Sequence, residues 1–212
     1  MEVLRNSFKA VSESRRAYAI LNVIYYGLIL CAMLYVSFNR PLQEALMEAV
    51  GEAWETGPLA IIGGAYSGGK ILLAIGLTFV VNLVVASFLS IHLPSLILPF
   101  SGLLVGLLRA FVWGLLFAPP SLQVSGAQVL IGVLVAGVIL LEGQGYVLAM
   151  LAAYDHGKAW LFPKRVGAEN RKQGYGMGVK RAVRLYLLVA LALLIAAVYE
   201  VIVTVIILPQ LV

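Results

Sequence analysis

Long apolar stretches separated by short polar or Gly/Pro-rich segments dominate this 212-residue chain. Each approaches the roughly 20 residues that a helix needs to cross a ~30 Å hydrocarbon core. Backbone polar groups in hydrocarbon must be satisfied inside the protein, so such stretches predict helices. We therefore expect an all-α, polytopic helical membrane protein, with residues 1–212 as a single transmembrane domain. About five spans are predicted, over residues 17–38, 71–91, 97–117, 128–154 and 185–208.

A glycine-rich stretch near 57–70 interrupts the helical pattern and predicts a broken or re-entrant segment. Small residues there allow a turn or close helix contact. The predicted helix-packing residues are Gly63, Gly64, Gly68 and Gly69. The stretch also copies most of a phosphate-binding P-loop, but Ile71 stands where that motif has Ser or Thr, so we exclude nucleotide binding.

A second break is predicted near 92–99, between the second and third spans. Pro94 and Pro99 lack an amide hydrogen and disfavour helix at the residue before them. They are the predicted helix-break residues, and His92 is expected to cap or hydrogen-bond the broken backbone. Irregular backbone at this depth needs protein or water around it.

Two amphipathic segments flank the first span. Apolar and charged positions in residues 1–16 recur at helical spacing, which predicts an interfacial helix on the cytoplasmic surface. Residues 39–57 predict an amphipathic outer segment whose glutamates line one face. These acids are Glu44, Glu48, Glu52 and Glu55. We interpret them as water-facing side chains, with a cation site as the alternative.

The polar segment 155–184 separates the fourth and fifth predicted spans, and basic side chains crowd it. Its lysines and arginines suit anionic lipid headgroups. Gly174, Gly176 and Gly178 predict a flexible connection into the last helix. With five spans, this segment lies on the same side as the basic residues that precede the first span. The positive-inside rule then places the N-terminus in the cytoplasm and the C-terminus outside, in the cell (cytoplasmic) membrane.

Composition supports the membrane assignment. Hydrophobic residues make up 62% of the chain and charged residues 12%, about half of the roughly 25% typical of soluble domains. The net charge of +5 does not indicate nucleic-acid binding, because the basic residues lie beside apolar spans, where membrane topology explains them.

Three ionisable residues, Arg109, Glu142 and Glu200, lie within predicted spans. Charges at such depth are functional candidates by default, although a matched pair also satisfies itself. The spacing allows Arg109 to pair with Glu142 or Glu200 and leaves that choice open. We expect a candidate polar network that also includes Asn82 and His92. A structural salt bridge is the preferred interpretation, and a charged route for an ion or polar solute is the alternative.

Enzyme chemistry has little support in the sequence. Neither histidine, His92 nor His156, lies near a carboxylate or a second histidine at metal-ligand spacing, so we predict no metal site, no cofactor and no catalytic residue. An intramembrane serine protease would need His92 beside a serine such as Ser87, Ser90 or Ser101, and no local motif supports it.

Three stretches resemble the stage II sporulation protein M family of five-span membrane proteins. They are PSLILPFSG (94–102), LEGQGYVLAMLAA (141–153) and GYGMGVKRAVRLYLLVALALLIAAVYE (174–200). The family often has His-Gly shortly before the fourth-span glutamate, where this chain has Leu140-Leu141. In spore formers the family member works with cell-wall-degrading enzymes as a membrane anchor or scaffold. The resemblance implies a non-catalytic role of that kind here.

Two function classes follow. The first is a non-catalytic integral membrane protein that anchors or organises partners, as a homodimer or in a membrane complex. The second is a small transporter or channel subunit whose charged residues line a route. The chain shows no clear internal repeat of the kind that many secondary transporters carry, which favours the first class.

Overall fold

The computed structural model describes residues 2–57, 59–119 and 126–211, and its α-helices are joined by short connections. The helices are α1 (Glu2–Glu13), α2 (Arg15–Ser37), α3 (Arg40–Glu55), α4 (Ala60–Ser67), α5 (Ile71–Val80), α6 (Leu93–Ile97), α7 (Ser101–Leu116), α8 (Gly126–Leu161) and α9 (Arg171–Val201). π-helical turns occupy Val81–His92 and Ile202–Ile207, and 3₁₀ turns occupy Pro163–Val166 and Leu208–Gln210. The predicted all-α, polytopic helical fold is confirmed.

Four continuous helical stretches are long and apolar enough to cross a membrane, which identifies a membrane-embedded protein. They are Arg15–Ser37, Ile71–Ile97, Gln128–Leu161 and Arg171–Gln210. The third predicted span is the 16-residue α7, which covers only about 24 Å and is shorter than a typical spanning helix. By length and composition alone, a fifth span is therefore not confirmed.

The two ends of α7 nevertheless lie at opposite ends of the bundle. Before its first turn, Phe100 packs on Gly157, near the end of α8. After its last turn, the carbonyls of Leu116 and Ala118 accept hydrogen bonds from Gln43 of α3, at 3.3 and 2.8 Å. Because α3 follows the far end of α2, α7 runs the whole way between the two ends despite its length.

Helix α8 is the central helix of the bundle. It packs against α2, α7, α9 and the π-helical segment, and every residue from Gly145 to Ala153 is buried. A helix that is apolar all round suits a protein core or a membrane span. The first turns of α8 differ, since Val129 and Val133 are 52% and 62% exposed. The second half of α8 therefore forms the core, and part of the first half faces the surroundings.

Close backbone contact joins the end of α8 to the start of α9. A Cβ atom on Gly174 would overlap the carbonyl oxygen of Ala159, and one on Gly178 would lie 3.0 Å from the Cα atom of His156. Gly176, on the other face, has no heavy atom within 4 Å of that position. The prediction of a flexible connection is wrong at Gly174 and Gly178, because both are buried in α9 and serve close packing.

The glycine-rich interruption near 57–70 forms the short helix α4 and the turn into α5. The four predicted packing glycines do different things. A Cβ on Gly63 would overlap the carbonyl oxygen of Trp54, which confirms close contact with α3. Gly69 has a φ of 62°, which suits glycine in the turn. Gly68 follows the last residue of α4, and a Cβ on Gly64 would meet no heavy atom within 4 Å.

The second break lies later than predicted. The backbone remains helical through Pro94 and leaves the helix only at Leu98, so the prediction of Pro94 as a break residue is wrong. Proline in the first turn of a new α-helical segment disturbs little, and α6 begins at Leu93 after π-helical turns. Pro99 lies in the break, as predicted. Phe100 follows with a φ of 69°, and the amide of Gly102 donates to Ser95 Oγ at 2.8 Å.

The amphipathic flanks are helical, as predicted. Helix α1 covers most of residues 1–16 and exposes Val3 and Phe8, while Ala10 is buried against the bundle. Helix α3 lies within residues 39–57 and exposes all four of its glutamates. Helix α1 packs on α9, so the basic segment before the first span and the basic segment 155–184 lie at the same end of the bundle. We call it the basic end.

We expect Gly174→Ala to lower the free energy of unfolding by about 1–3 kcal/mol, because the added methyl group overpacks a backbone contact. Gly176→Ala is the matched control. It lies in the same helix in open space and should leave stability unchanged or raise it by up to about 1 kcal/mol through helix propensity. Thermal unfolding of both variants in one detergent, followed by circular dichroism, measures the difference. Equal melting temperatures would contradict the close-packing interpretation.

Candidate functional site

Two of the three charged residues predicted inside the spans, Arg109 and Glu142, meet at the α7–α8 contact. Arg109 Nη2 lies 3.6 Å from Glu142 Oε1 and 2.8 Å from the hydroxyl of Tyr146, to which it donates. Tyr146, one turn after Glu142 on α8, donates its own hydroxyl to the same carboxylate. The structure thus resolves the open choice in favour of Arg109 pairing with Glu142. Tyr146 is a member of the site that the sequence analysis missed.

Aromatic rings enclose the guanidinium group of Arg109. Its central carbon lies 4.3 Å from the ring centroid of Tyr146 and 5.4 Å from that of Trp113. Trp113 follows Arg109 by one turn on α7, so the local helix spacing presents both side chains to α8. Stacking on ring faces adds cation–π attraction, which is strongest where water is excluded. The site therefore stabilises the arginine by contacts with both the acid and the rings.

Burial differs between the two charged partners. The side chain of Glu142 is 6% exposed and that of Arg109 is 29% exposed. The Nε atom of Arg109 is buried without a hydrogen-bond partner in the described part of the chain. A buried ion pair is costly to break by removing one partner, because the remaining charge stays in a low-dielectric setting. The geometry is that of an internal link between α7 and α8.

Glu200, the third predicted charge, lies apart from the ion pair. It is near the end of α9, next to Val201, which belongs to an apolar cluster that also contacts Tyr66 of α4. The Tyr66 hydroxyl lies 3.0 Å from Thr78 Oγ1 on α5. Glu200 is close enough to Glu142 to interact with it electrostatically, yet it forms no ion pair with any described basic residue. Of the three ionisable residues in the predicted spans, two therefore carry carboxylates and one carries a guanidinium group.

The remaining predicted members, Asn82 and His92, are buried on the π-helical segment. In the described residues, no hydrogen bond joins either of them to Arg109, Glu142 or Glu200. His92 does not cap the following helix. None of the candidate serines bonds it: Ser87 donates to Tyr186 at 3.3 Å and Ser90 donates to a backbone carbonyl. The network is therefore smaller than predicted.

The fold brings the two histidines together, although they are distant in sequence. The rings of His92 and His156 have centroids 6.0 Å apart, and the ring of Tyr186 lies 5.1 Å from His92. Nδ1 of His92 and both nitrogens of His156 are buried without hydrogen-bond partners among the described residues. No group of three or more potential metal-ligating side chains occurs in that part of the chain. The two histidine rings are therefore packed among aromatic side chains.

A neutral hydrogen-bond network on the other side of α8 was not predicted. Gln144 accepts from Tyr18 at 2.6 Å and donates to Asn22 at 2.7 Å and Tyr26 at 2.9 Å. The three partners recur every fourth residue on α2, a spacing that places them on one helix face. This face of α2 therefore binds α8 through amide and hydroxyl groups. The α8 residue involved, Gln144, lies two positions after Glu142 of the ion pair.

A second unpredicted network joins three helices at the basic end. Arg181 of α9 donates to Asp155 of α8 at 2.6 Å and to Glu13 of α1 at 2.6 Å. It also donates to the carbonyl of Ala10 at 2.7 Å, and Ser14 donates to Asp155 at 2.7 Å. Asp155 is 4% exposed. The signal available in the sequence was this lone aspartate at the end of an apolar span, followed by an excess of basic residues.

No known protein family, curated protein or solved structure matches this chain. The resemblance to the stage II sporulation protein M family thus stays a prediction from three short stretches. The structure shows in which elements those three stretches lie. Residues 94–102 cover most of α6, the turn that follows it and the first two residues of α7. Residues 141–153 form the buried middle of α8, and residues 174–200 form most of α9.

We expect Glu142→Leu to lower the free energy of unfolding by about 3 kcal/mol, because it leaves the Arg109 charge without its carboxylate. Adding Arg109→Leu should recover a large part of that loss, since an apolar pair needs no charge compensation. Glu13→Leu removes an exposed ion-pair partner and should cost no more than about 1 kcal/mol. Unfolding of the four variants in mixed micelles gives the coupling energy. Additive effects of Arg109→Leu and Glu142→Leu would show that the pair does not act as a unit.

Proposed function

We propose that this chain is a non-catalytic integral membrane protein that anchors or organises partner proteins in the cell membrane. The observation that carries the proposal is that two of the three intramembrane charges, those of Arg109 and Glu142, are paired with each other. Arg109, Glu142 and Tyr146 bond one another, and Trp113 covers the guanidinium. Charges used this way hold helices together and are not offered to a solute. The implied role of the stage II sporulation protein M family agrees with this proposal.

The polar flanks support an anchoring role. The basic end and helix α3 place charged surfaces at opposite ends of an apolar bundle, one basic and one acidic. In this proposal the basic end is cytoplasmic and the acidic face of α3 is outside, in accordance with the positive-inside rule. Partners on either side of the membrane can then bind a surface of distinct charge. A second copy of the chain or another membrane protein is the partner class that we propose.

A small transporter or channel subunit is the second candidate, and Glu200 is the observation that favours it. This carboxylate lies in a spanning stretch, interacts with Glu142 and has no basic partner among the described residues. An intramembrane acid without a counter-charge is a candidate step for a cation or proton. Under this function, Glu142 and Glu200 would each contribute to the route.

Flux into liposomes separates the two functions. We expect purified wild-type protein to give no flux of protons, sodium or small polar solutes above that of empty liposomes. Extraction with a mild detergent after chemical cross-linking should instead give a particle heavier than the 22.8 kDa chain, with defined additional subunits. Mass spectrometry of the cross-linked particle identifies those subunits and tests whether a second copy is among them.

Glu200→Gln and Glu142→Gln are the variants for the flux measurement, because each removes one carboxylate charge with little change in shape. Wild-type flux that disappears in folded Glu200→Gln protein would overturn the anchor proposal in favour of transport. Flux that is absent, together with a particle that contains only one chain, would contradict both proposals. Circular dichroism and gel filtration of each variant establish that the protein remains folded.

A further inference from the structure

An open pocket of about 560 Å³ lies at the basic end, where α1 turns into α2 beside the end of α8. Residues 12–17 and Ile20 line one side, and Tyr154 and Lys158 line the other. The pocket is separate from the intramembrane ion pair. Its volume falls within the range of about 300–1,000 Å³ that is common for small-molecule sites.

Three cations line this pocket and have no ion-pair partner among the residues that the structure describes. Arg15, Arg16 and Lys158 form no ion pair or hydrogen bond through their side chains within the described residues. The only acid in the lining, Glu13, is bound to Arg181 at 2.6 Å, and Arg181 also binds buried Asp155. Glu13 is therefore held by another arginine, and the pocket retains an excess of positive charge.

Backbone groups add to this excess. Residues 15–17 form the first turn of α2, whose amide groups have no acceptor within the helix. Ser14 precedes the turn but forms no side-chain cap; its hydroxyl donates to Asp155 and accepts from Arg181. Free amides at a helix N-terminus favour an anion, and phosphate is a common occupant of such positions. Here they only supplement the three side-chain cations.

Exposed apolar side chains lie in the pocket lining and on the neighbouring helix α1. Ile20 in its lining is 49% exposed, and on the neighbouring α1 Val3 and Phe8 are 66% and 60% exposed. An amphipathic helix with such a face lies at the level where lipid headgroups meet acyl chains. The pocket therefore has positive charge for a headgroup on one side and apolar surface for acyl chains on the other.

We propose that this pocket binds the phosphate group of an anionic phospholipid, with its acyl chains along Ile20 and the exposed face of α1. Arg15, Arg16 and Lys158 contact the phosphate, and the Arg181 network holds α1, α8 and α9 in the arrangement that forms the pocket. The inference does not depend on the proposed anchoring function. Either function is compatible with a bound lipid of this kind.

Native mass spectrometry of the purified protein in detergent, titrated with phosphatidylglycerol or phosphatidylcholine, tests the proposal. We expect saturable retention of phosphatidylglycerol and little retention of phosphatidylcholine. Combined replacement of Arg15, Arg16 and Lys158 by Gln should weaken phosphatidylglycerol binding about tenfold or more, since each basic residue near an anionic lipid contributes about 1 kcal/mol. These side chains are outside the core, so the variant should fold, which its melting temperature verifies.

The matched control replaces three other cations of the same end, Lys164, Arg171 and Lys172, by Gln. All three are exposed and lie outside the pocket lining, and the change in net charge is the same. The control should retain saturable binding within about twofold. Equal loss in both triple variants would overturn the pocket and leave only diffuse attraction between charges.

A free phosphate compound is the other source of the same chemistry. Inorganic phosphate and glycerol 3-phosphate, added at equal concentration to the lipid-free protein, distinguish it from a lipid. We expect neither to bind the wild-type protein detectably or to displace bound phosphatidylglycerol, because the apolar contacts are absent from both. Binding of either compound as tightly as phosphatidylglycerol would overturn the assignment to a lipid.

Discussion

An arginine in an apolar helix must find its partners inside the protein, and the position of α8 follows from that requirement. Arg109 binds Glu142 and Tyr146, which lie one turn apart on α8. On another side of the same helix, Gln144 binds three polar residues of α2. Because hydrocarbon offers no hydrogen bonds, each polar group of α8 selects a neighbouring helix. Specificity in this bundle thus comes from a few polar contacts.

Small residues then set how closely the helices approach. A Cβ atom on Gly114 would overlap the backbone of α2 at Ile29, and one on Gly106 would lie 2.5 Å from the sulfur of Met150 on α8. Gly174 and Gly178 have the same effect where α9 meets α8. Association of helices in lipid depends on such contact, since apolar burial between helices gains little there. Polar groups therefore choose the partners, and glycines determine the distance.

The sequence predicted what depends on hydropathy and local spacing, namely the helical membrane fold, the flanking helices and a pairing of Arg109 with an acid of another span. It could not place side chains that meet only through tertiary packing. His92 and His156 are 64 positions apart, and Arg181 joins residues from both ends of the chain. The prediction of a break at Pro94 was wrong for a local reason, because the π-helical turns end at His92 and Pro94 lies in the first turn of α6, which continues to Ile97. Of the two prolines, Pro94 therefore lies within a helix and Pro99 lies in the turn between two helices.

The shortness of α7 has a consequence for the surrounding lipid. Its 16 residues cover about 6 Å less than a ~30 Å hydrocarbon core, and its residues Leu104 and Leu108 are 72% and 63% exposed. Lipid beside such a short apolar surface thins locally, at a cost of a fraction of a kcal/mol per Å. The neighbouring α8 is long, so the deformation is confined to one side of the molecule. Any membrane protein with a similarly short apolar surface would lower this elastic energy by lying alongside α7.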